Sequence, residues 1–547
     1  MSRTILPVAG RVSPPGRWWR RSVRTNLCVG SLGLALLATG CTSPREFVKN
    51  GFKVGPNYHR PPAPLAPTWI DANNPRVNSF LGDYSAWWGV FGDPVLDDLV
   101  RTAYAQNVNL RVAGTRVLEA RAQRAITVGA LFPQTQQATG EFEHVATSGT
   151  VANPLLHRFF DNWATGLNAS WEIDFWGRFR RNVEATTDLV ESSVDDYDNA
   201  MVTLIGDLAT AYVQYRIFEQ QLVYTRENVR IQRASLQIAT ARFKAGQTNE
   251  LAVVQGTSLL EQIEATVPLI EIQLRQANNQ ICVLLGAPPT ELAAKLGEAP
   301  IPRSPPEVVV GIPADLIRRR PDVRSAERQV AAQNAQIGVA EAALYPAFFI
   351  NGNIGLASKD LGQLFEGRSL TGQIGPSFQW DVLNYGRNLN NIRLQDFKTQ
   401  ELVGTYQQKV LTAAQEVENG IVTFWRARQE AEHLAASVRA AERAVKLAND
   451  RFQAGVIDYT PVFVAEQFLV QQQNAYAQAQ GDIALGLIST YRALGGGWEM
   501  RLVDKAPPAE AAPAADPPAA EVLPPPRPVP PAQVNASSVN ETAAPAE

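Results

Sequence analysis

Two periodicities organise the chain. Val194, Met201, Leu208, Tyr215, Leu222, Val229, Leu236 and Phe243 fall seven residues apart. Displaced by 209 residues, the series reads Val403, Val410, Val417, Phe424, Ala431, Val438, Val445 and Phe452, apolar throughout. A seven-residue repeat held that long specifies a long helix packed as in a coiled coil. The helix predicted over 178–244 would span roughly 100 Å at about 1.5 Å per residue. It stops at Ala245-Gly246, where glycine suits a helix C-terminus and a tight reversal, and a second helix is predicted from Asn249 to Leu285. In the later copy Thr460-Pro461 reads as an N-cap followed by proline at the first helical position. Each series thus predicts a hairpin of two antiparallel helices.

Elsewhere the period is two. Trp163, Leu167, Ala169, Trp171, Ile173 and Phe175 alternate with Asn168, Ser170, Glu172 and Asp174. Phe348, Ile350, Ile354 and Leu356 alternate with Phe349, Asn351, Asn353 and Gly355, and Phe378, Trp380 and Val382 with Ser377, Gln379 and Asp381. With a weaker run over 140–146 around Phe142, these predict four strands. One face is apolar and tryptophan-bearing and the other polar, as in a soluble sandwich or a membrane barrel with lipid outside and water inside.

The two patterns belong to one unit written twice. Gly177-Arg178 recurs as Gly386-Arg387, Arg242-Phe243-Lys244-Ala245-Gly246 as Arg451-Phe452-Gln453-Ala454-Gly455, and Leu285-Gly286 as Leu494-Gly495, all 209 apart. Ala130-Leu131-Phe132-Pro133 recurs 213 residues on as Ala343-Leu344-Tyr345-Pro346. The extra four residues of the first copy place a turn between that proline and the Gly-Arg, because insertions collect in loops.

Composition removes several classes of function. The 50 Lys and Arg nearly balance 53 Asp and Glu, which argues against a nucleic-acid binder. Three cysteines and four scattered histidines form no zinc or disulfide framework. There is no phosphate-binding glycine loop, no HExxH and no nucleophile elbow. No catalytic or metal-binding constellation emerges, so the chain does not read as an enzyme.

The N-terminus carries an address. Six arginines and no acid precede residue 41, and the apolar run Leu27–Ala38 is too short to span a bilayer. Small residues then lead to Cys41, so 1–40 is a secretory signal peptide. Leu37-Ala38-Thr39-Gly40-Cys41 also resembles a bacterial lipobox, which implies acyl chains on Cys41. Thr42, rather than Asp, after the cysteine implies the outer membrane by the same resemblance. Lys505–Glu547 is Pro/Ala-rich and predicted to be disordered.

Four strands cannot close a barrel, which takes roughly eight, and an open edge in lipid leaves backbone groups unsatisfied. Three copies would supply twelve strands and, below them, a cylinder of helices. Here the residues reach a family. Val54-Gly55-Pro56-Asn57-Tyr58, Trp87-Trp88 with Phe91-Gly92-Asp93-Pro94, Trp171-Glu172-Ile173-Asp174-Phe175-Trp176-Gly177-Arg178, Arg320-Pro321-Asp322-Val323 and the two Arg-Phe-x-Ala-Gly tips stand in order. Over about Val54–Trp498 the chain resembles the TolC-like outer membrane factors, most closely the lipoprotein branch of tripartite efflux systems.

The resemblance implies an α+β membrane protein: a homotrimer with a 12-stranded transmembrane β-barrel, a periplasmic α-helical barrel and a mixed equatorial domain at about Phe47–Leu99, Pro288–Pro313 and after Leu494. Residues 41–100 then form the anchor and first equatorial segment. The first repeat is 101–287 with strands in about 138–176, and 288–313 is a linker. The second repeat is 314–497 with strands in about 347–383, and 498–547 is the C-terminal segment. The implied partners are outer membrane lipid, a periplasmic adaptor (membrane fusion) protein and an inner-membrane RND-type pump in a Gram-negative bacterium, with no cofactor and no nucleic acid.

Candidate site residues follow. Cys41 is the lipid anchor. Arg242, Phe243, Ala245 and Gly246 with Arg451, Phe452, Ala454 and Gly455 form tips that, by resemblance, dock the adaptor. Pro461 and Val464 stand near the positions where relatives often carry gate aspartates, so Glu250, Asp458 and Glu466 are the acidic gate candidates. Glu172, Asp174 and Asp381 would make the barrel lumen acidic. The expected function is passive conduction of drugs or other small toxic compounds. A duct for type I protein secretion and a lipid-anchored periplasmic scaffold without a pore are the competing readings.

Overall fold

The computed structural model describes residues 43–78, 80, 82–150 and 158–503. The leader, Cys41 and the Pro/Ala-rich segment lie outside the described residues. The chain comprises two units, Met1–Met500 and Arg501–Glu547, and the description below concerns the first.

The larger elements are helices α1 (Pro94–Gln106), α2 (Val108–Gly129), α3 (Arg178–Lys244), α4 (Glu250–Leu284), α5 (Pro321–Ala342), α6 (Arg387–Gln453) and α7 (Thr460–Ala493), with strands β1 (Thr135–Ala146), β2 (Phe159–Ile173), β3 (Ala347–Ser358) and β4 (Leu370–Gln379). The long helices α3 and α6 each have 67 residues, and their ends are displaced by the same 209 positions as the sequence repeat.

Both long helices end in the same way. After α3 the amide of Gly246 donates to Phe243 O and that of Gln247 to Arg242 O; after α6, Gly455 donates to Phe452 O and Val456 to Arg451 O. These 5→2 and 6→1 bonds form the Schellman motif, which needs a left-handed residue. Gly246 and Gly455 supply it at φ 72° and 77°. Asn249 then caps α4 by accepting from Ala252 N. Helix α7 departs by one position: Tyr459 occupies the N-cap, Thr460 is already helical, and its side chain makes no cap bond.

The four strands form one antiparallel sheet in the order β1-β2-β3-β4. Its centre joins the two copies, with Trp171 opposite Ile350 and Leu167 opposite Ile354. Strands β1 and β4 are its edges. The weak run around Phe142 is a full 12-residue strand. The duplication extends to the strand ends: Trp171 Nε1 donates to Leu131 O at 3.1 Å, and Trp380 Nε1 to Leu344 O at 2.9 Å. Each indole fixes the foot of a strand against the turn that precedes its sheet.

Around the middle of α3 and α6 lies a core of Trp69, Trp87, Trp88, Leu96 and Leu99 against Met201, Leu208, Tyr212, Tyr406, Val417 and Phe424. A two-residue parallel pairing of Val77–Asn78 with Val308–Val309 ties the early segment to the segment between the repeats. The sequence motifs are its fasteners. Asp93 caps α1 through Val95 N and Leu96 N, with Pro94 at the first turn, and accepts from Tyr212 Oη. Arg320 grips Asp322 with two bonds and also reaches Glu416 and the carbonyl of Ala493. The expected boundary at residue 100 falls inside α1.

Candidate functional site

The sheet has two chemically distinct faces. Register places Phe142 opposite Trp163, Leu167 opposite Ile354, Trp171 opposite Ile350 and Phe348 opposite Phe378. Leu167, Ile354, Ile374 and Phe378 are exposed. An apolar face this continuous calls for a partner or lipid. On the other face Ser170 Oγ donates to Asn351 Oδ1 at 2.6 Å, and Asn351 Nδ2 to Ser377 Oγ at 2.8 Å. That row of small hydrogen-bonding groups suits water, as the alternation of a membrane strand requires.

The expected lumen acids are placed differently. Glu172 lies on the polar face but accepts two bonds from Arg178 Nη1 at 3.1 and 3.2 Å. Asp174 and Asp381 lie just beyond the ends of β2 and β4. Asp174 accepts from the amides of Phe179 and Arg180 and from Arg180 Nε, so it starts α3. Asp381 lies 3.7 Å from Arg387. All three line one cavity of about 250 Å³ at the strand–helix junction, beside Arg178, Gln379 and Asn388. Two further acids stand along the polar face, Glu141 and Glu143 of β1, opposite Ala164 and Asn162. Their alternation with Phe142 was the signal for them in the sequence.

At the tips the two copies differ. Phe452 is 2% exposed and packs with Ala239, Ala252, Tyr459 and Val462, whereas its counterpart Phe243 is 42% exposed. Arg242 lies over the Phe452 ring, 4.8 Å from its centroid. Arg451 is exposed, as are Ala245, Gly246, Ala454 and Gly455. The outward tip surface is therefore Phe243, Arg451 and the two Ala-Gly turns, with Phe452 and Arg242 beneath it.

The gate candidates separate. Glu250 and Asp458 are exposed beside the turns. Glu466 is buried between the two hairpins, so this gate candidate is not exposed as Glu250 and Asp458 are. Its Oε1 accepts from Ser235 Oγ of α3 at 2.6 Å and Asn449 Nδ2 of α6 at 3.3 Å, while Oε2 has no hydrogen-bond partner among the described residues. Burial holds its carboxyl above the usual range, and those two donors oppose the shift. Along α3 the same polar stripe continues: Gln232 Nε2 donates to Tyr459 Oη and Asn228 Nδ2 to Gln473 Oε1. Polar side chains thus join α3 to α7 near the tips.

One functional feature escaped the sequence reading. The fully buried Arg181 donates to Val54 O, Gly55 O and Asn57 Oδ1, and pairs with Glu184. Gly55 meets Gly338 of α5 so closely that a Cβ there would stand 2.3 Å from its Cα. The Val-Gly-Pro-Asn-Tyr segment is thus strapped across the start of α3. Its hydrogen-bonding partner lies far along the chain, so its spacing gave no hint of it.

Comparison with known proteins agrees with this architecture. The family model described as "Outer membrane efflux protein" matches residues 99–287 and 312–496, one stretch in each repeat. The probable outer membrane lipoprotein SilC of Salmonella typhimurium is 27% identical over 86% of this chain and 98% of its own length. The pyoverdine export outer membrane protein OpmQ of Pseudomonas putida is 27% identical over 87% of this chain and 98% of its own. The solved structure of the outer-membrane channel OprN superimposes with a TM-score of 0.76 at 30% identity, covering 82% of this chain and 99% of that one.

Proposed function

The chain belongs to the outer membrane efflux protein family, and from that premise we propose how it works as the outer membrane channel of an efflux pump. Three copies join β4 of one to β1 of the next. This satisfies both open edges and closes a 12-stranded barrel, since an unpaired strand edge is not tolerated in lipid. The observation that carries the reading is the two-faced sheet, continuous in sequence with two 67-residue helices. The barrel crosses the outer membrane, and the helices extend the passage into the periplasm. The chain contributes a passive conduit, and the energy comes from an RND-type pump in the inner membrane.

The exposed tip residues Phe243, Ala245, Gly246, Arg451, Ala454 and Gly455 dock a periplasmic adaptor. Arg242 and Phe452 support them from below. A Cβ on Gly455 would stand 3.1 Å from Arg242 Nη2, whereas one on Gly246 would meet nothing within 4 Å. Both glycines carry a positive φ, so either substitution adds left-handed strain, but Gly246→Asp adds no clash and is the cleaner probe of docking: assembly persists and adaptor crosslinking falls. Glu250 and Asp458, repeated threefold, would gather cations at the tip by like-charge focusing. Acyl chains on Cys41 supplement a hold that the barrel already provides, so Cys41→Ser retains assembled trimer.

The cargo is drugs or other small toxic compounds. Deleting the gene should raise cellular retention of a fluorescent pump-substrate dye, and complementation should reverse it. Equal retention would contradict this cargo class and turn attention to other exported molecules.

A further inference from the structure

The first described residues form an element that neither the barrel nor the helical hairpins require. The short helix Pro44–Lys49 ends in a turn through Gly51 and Phe52. Phe47 faces inward. Its ring lies 5.6 Å from Trp176, 6.3 Å from Phe175 and 5.6 Å from Phe52. Phe175 in turn lies 5.6 Å from Phe348, which stands on the apolar face of the sheet. The element is thus continuous with the surface that faces lipid.

Its outward side is unusual for an aqueous surface. Val48 is 59% exposed and Phe52 is 55% exposed. Phe52 also has φ 60°, a left-handed conformation that costs a non-glycine residue free energy and persists only where its surroundings impose it. The surroundings are specific: Arg180 donates from Nη1 to Gly51 O and from Nη2 to Phe52 O, each at 2.8 Å, and Phe52 N donates to Phe47 O at 2.9 Å. Three hydrogen bonds and a strained backbone hold an aromatic side chain outward. Arg45 and Lys49 stand one turn apart, both exposed and both without a hydrogen-bond or ion-pair partner among the described residues. Glu46 is the one acid on the helix, and Lys53 is held by Glu184. The residue expected to carry acyl chains, Cys41, is two positions upstream of Ser43.

We infer that residues 43–53 form a membrane-surface element that seats Val48 and Phe52 in the periplasmic leaflet of the outer membrane and binds anionic phospholipid headgroups through Arg45 and Lys49. The inference rests on the outer-membrane placement of the barrel. Apolar side chains beside cations are the composition by which interfacial segments bind lipid, and their continuity with the barrel's apolar face selects lipid over a protein partner. The element fixes the depth of the barrel at the foot of its strands, where Trp171 and Trp380 also stand.

The test uses the full-length acylated protein reconstituted in vesicles, with a fluorophore on Val48→Cys. Brominated acyl chains are supplied on phosphatidylglycerol or on phosphatidylethanolamine. A second preparation carries the fluorophore on Ile374→Cys, and a third on Glu430→Cys in α6. Both lipids should quench the probe at 48. Phosphatidylglycerol should do so at roughly fivefold lower concentration, the preference expected of one net positive charge at an anionic surface. Arg45→Gln with Lys49→Gln should abolish that preference and leave the apolar contact. The probe at 430 should stay unquenched. Quenching at 374 without quenching at 48 would overturn the inference and leave the barrel standing. No quenching at either position would overturn the membrane placement and the inference with it. Equal quenching by the two lipids, or a preference that survives the double substitution, would overturn headgroup recognition.

Discussion

The two repeats share a backbone and differ in what covers it. At the strand–helix junction Gly177 and Gly386 both sit at φ 80°. Gly177 has Lys53 packed against it, and Trp176 stacks on Tyr345. At the matching positions of the second copy a Cβ on Gly386 would meet only Asn390 Nδ2, at 3.7 Å, and Tyr385 is 96% exposed. At the tips the relation is reversed, with Phe452 buried and Phe243 outward. Glu466 is buried, yet its counterpart Thr257 is exposed. A duplicated framework thus leaves each copy free to specialise: the first is tied to the N-terminal strap, and the second holds the inner packing of the tips.

The largest test of this comparison is at the tips. Phe452→Ala should cost about 3–5 kcal/mol, the range for emptying a buried aromatic site, and should speed tryptic cleavage at Arg451 and Arg242. Phe243→Ala should change stability by less than about 1 kcal/mol and lower adaptor crosslinking instead. Equal effects on both readouts would erase the distinction between the copies.

Next is the strap. Arg181→Met leaves the buried carbonyls of Val54 and Gly55 without their donor and should cost about 3 kcal/mol. The matching Asn390→Ala, at an exposed position, should stay within about 0.5 kcal/mol. Thermal unfolding followed by circular dichroism reads both. A smaller contrast comes from the junction glycines. Each alanine meets left-handed strain of about 1–2 kcal/mol, but at Gly177 the new Cβ would also stand 2.7 Å from Lys53 Cγ. Gly177→Ala should therefore destabilise the protein more than Gly386→Ala, by about 1–3 kcal/mol for the overpacking, read as the lower of the two thermal midpoints.

The smallest effect is in pH. The folded-state pKa of Glu466 is raised by burial, so the protonated form is favoured in the packed tips. Packing is tightest below the ordinary carboxyl range and loosens as pH rises through the raised value. Glu466→Gln should flatten that dependence, seen as a difference in thermal unfolding midpoint between variant and wild type that changes with pH across this range. A wild-type slope that persists in the variant would place the titrating group elsewhere.

Periodicity made the framework legible. A seven-residue stripe and a two-residue alternation each report one local geometry, so α3, α6 and the strand pairs could be read residue by residue. The tip turns were legible because glycine at a positive φ leaves a sequence mark. Site assignments made from residue type alone were less secure. Asp174 and Asp381 continue the alternation past the last strand residue, and alternation cannot register where hydrogen bonding stops. Phe243 and Phe452 occupy identical places in the repeat, so their different burial depends on packing between the copies. Glu466 likewise meets Ser235, 231 residues away. Arg181 was missed because its partners are mostly carbonyls, which every residue carries.

In the proposed barrel one face of the sheet meets lipid and the other meets water. Gln373 and Ile374 are neighbours on β4 whose side chains leave opposite faces, and both are exposed within the protomer. Gln373→Cys and Ile374→Cys can be treated in native outer membranes with a small membrane-impermeant maleimide, with the permeant analogue as control. Labelling at 373 and protection at 374 are expected. Equal labelling of the two by the impermeant reagent, or protection at 373 with labelling at 374, would contradict that arrangement.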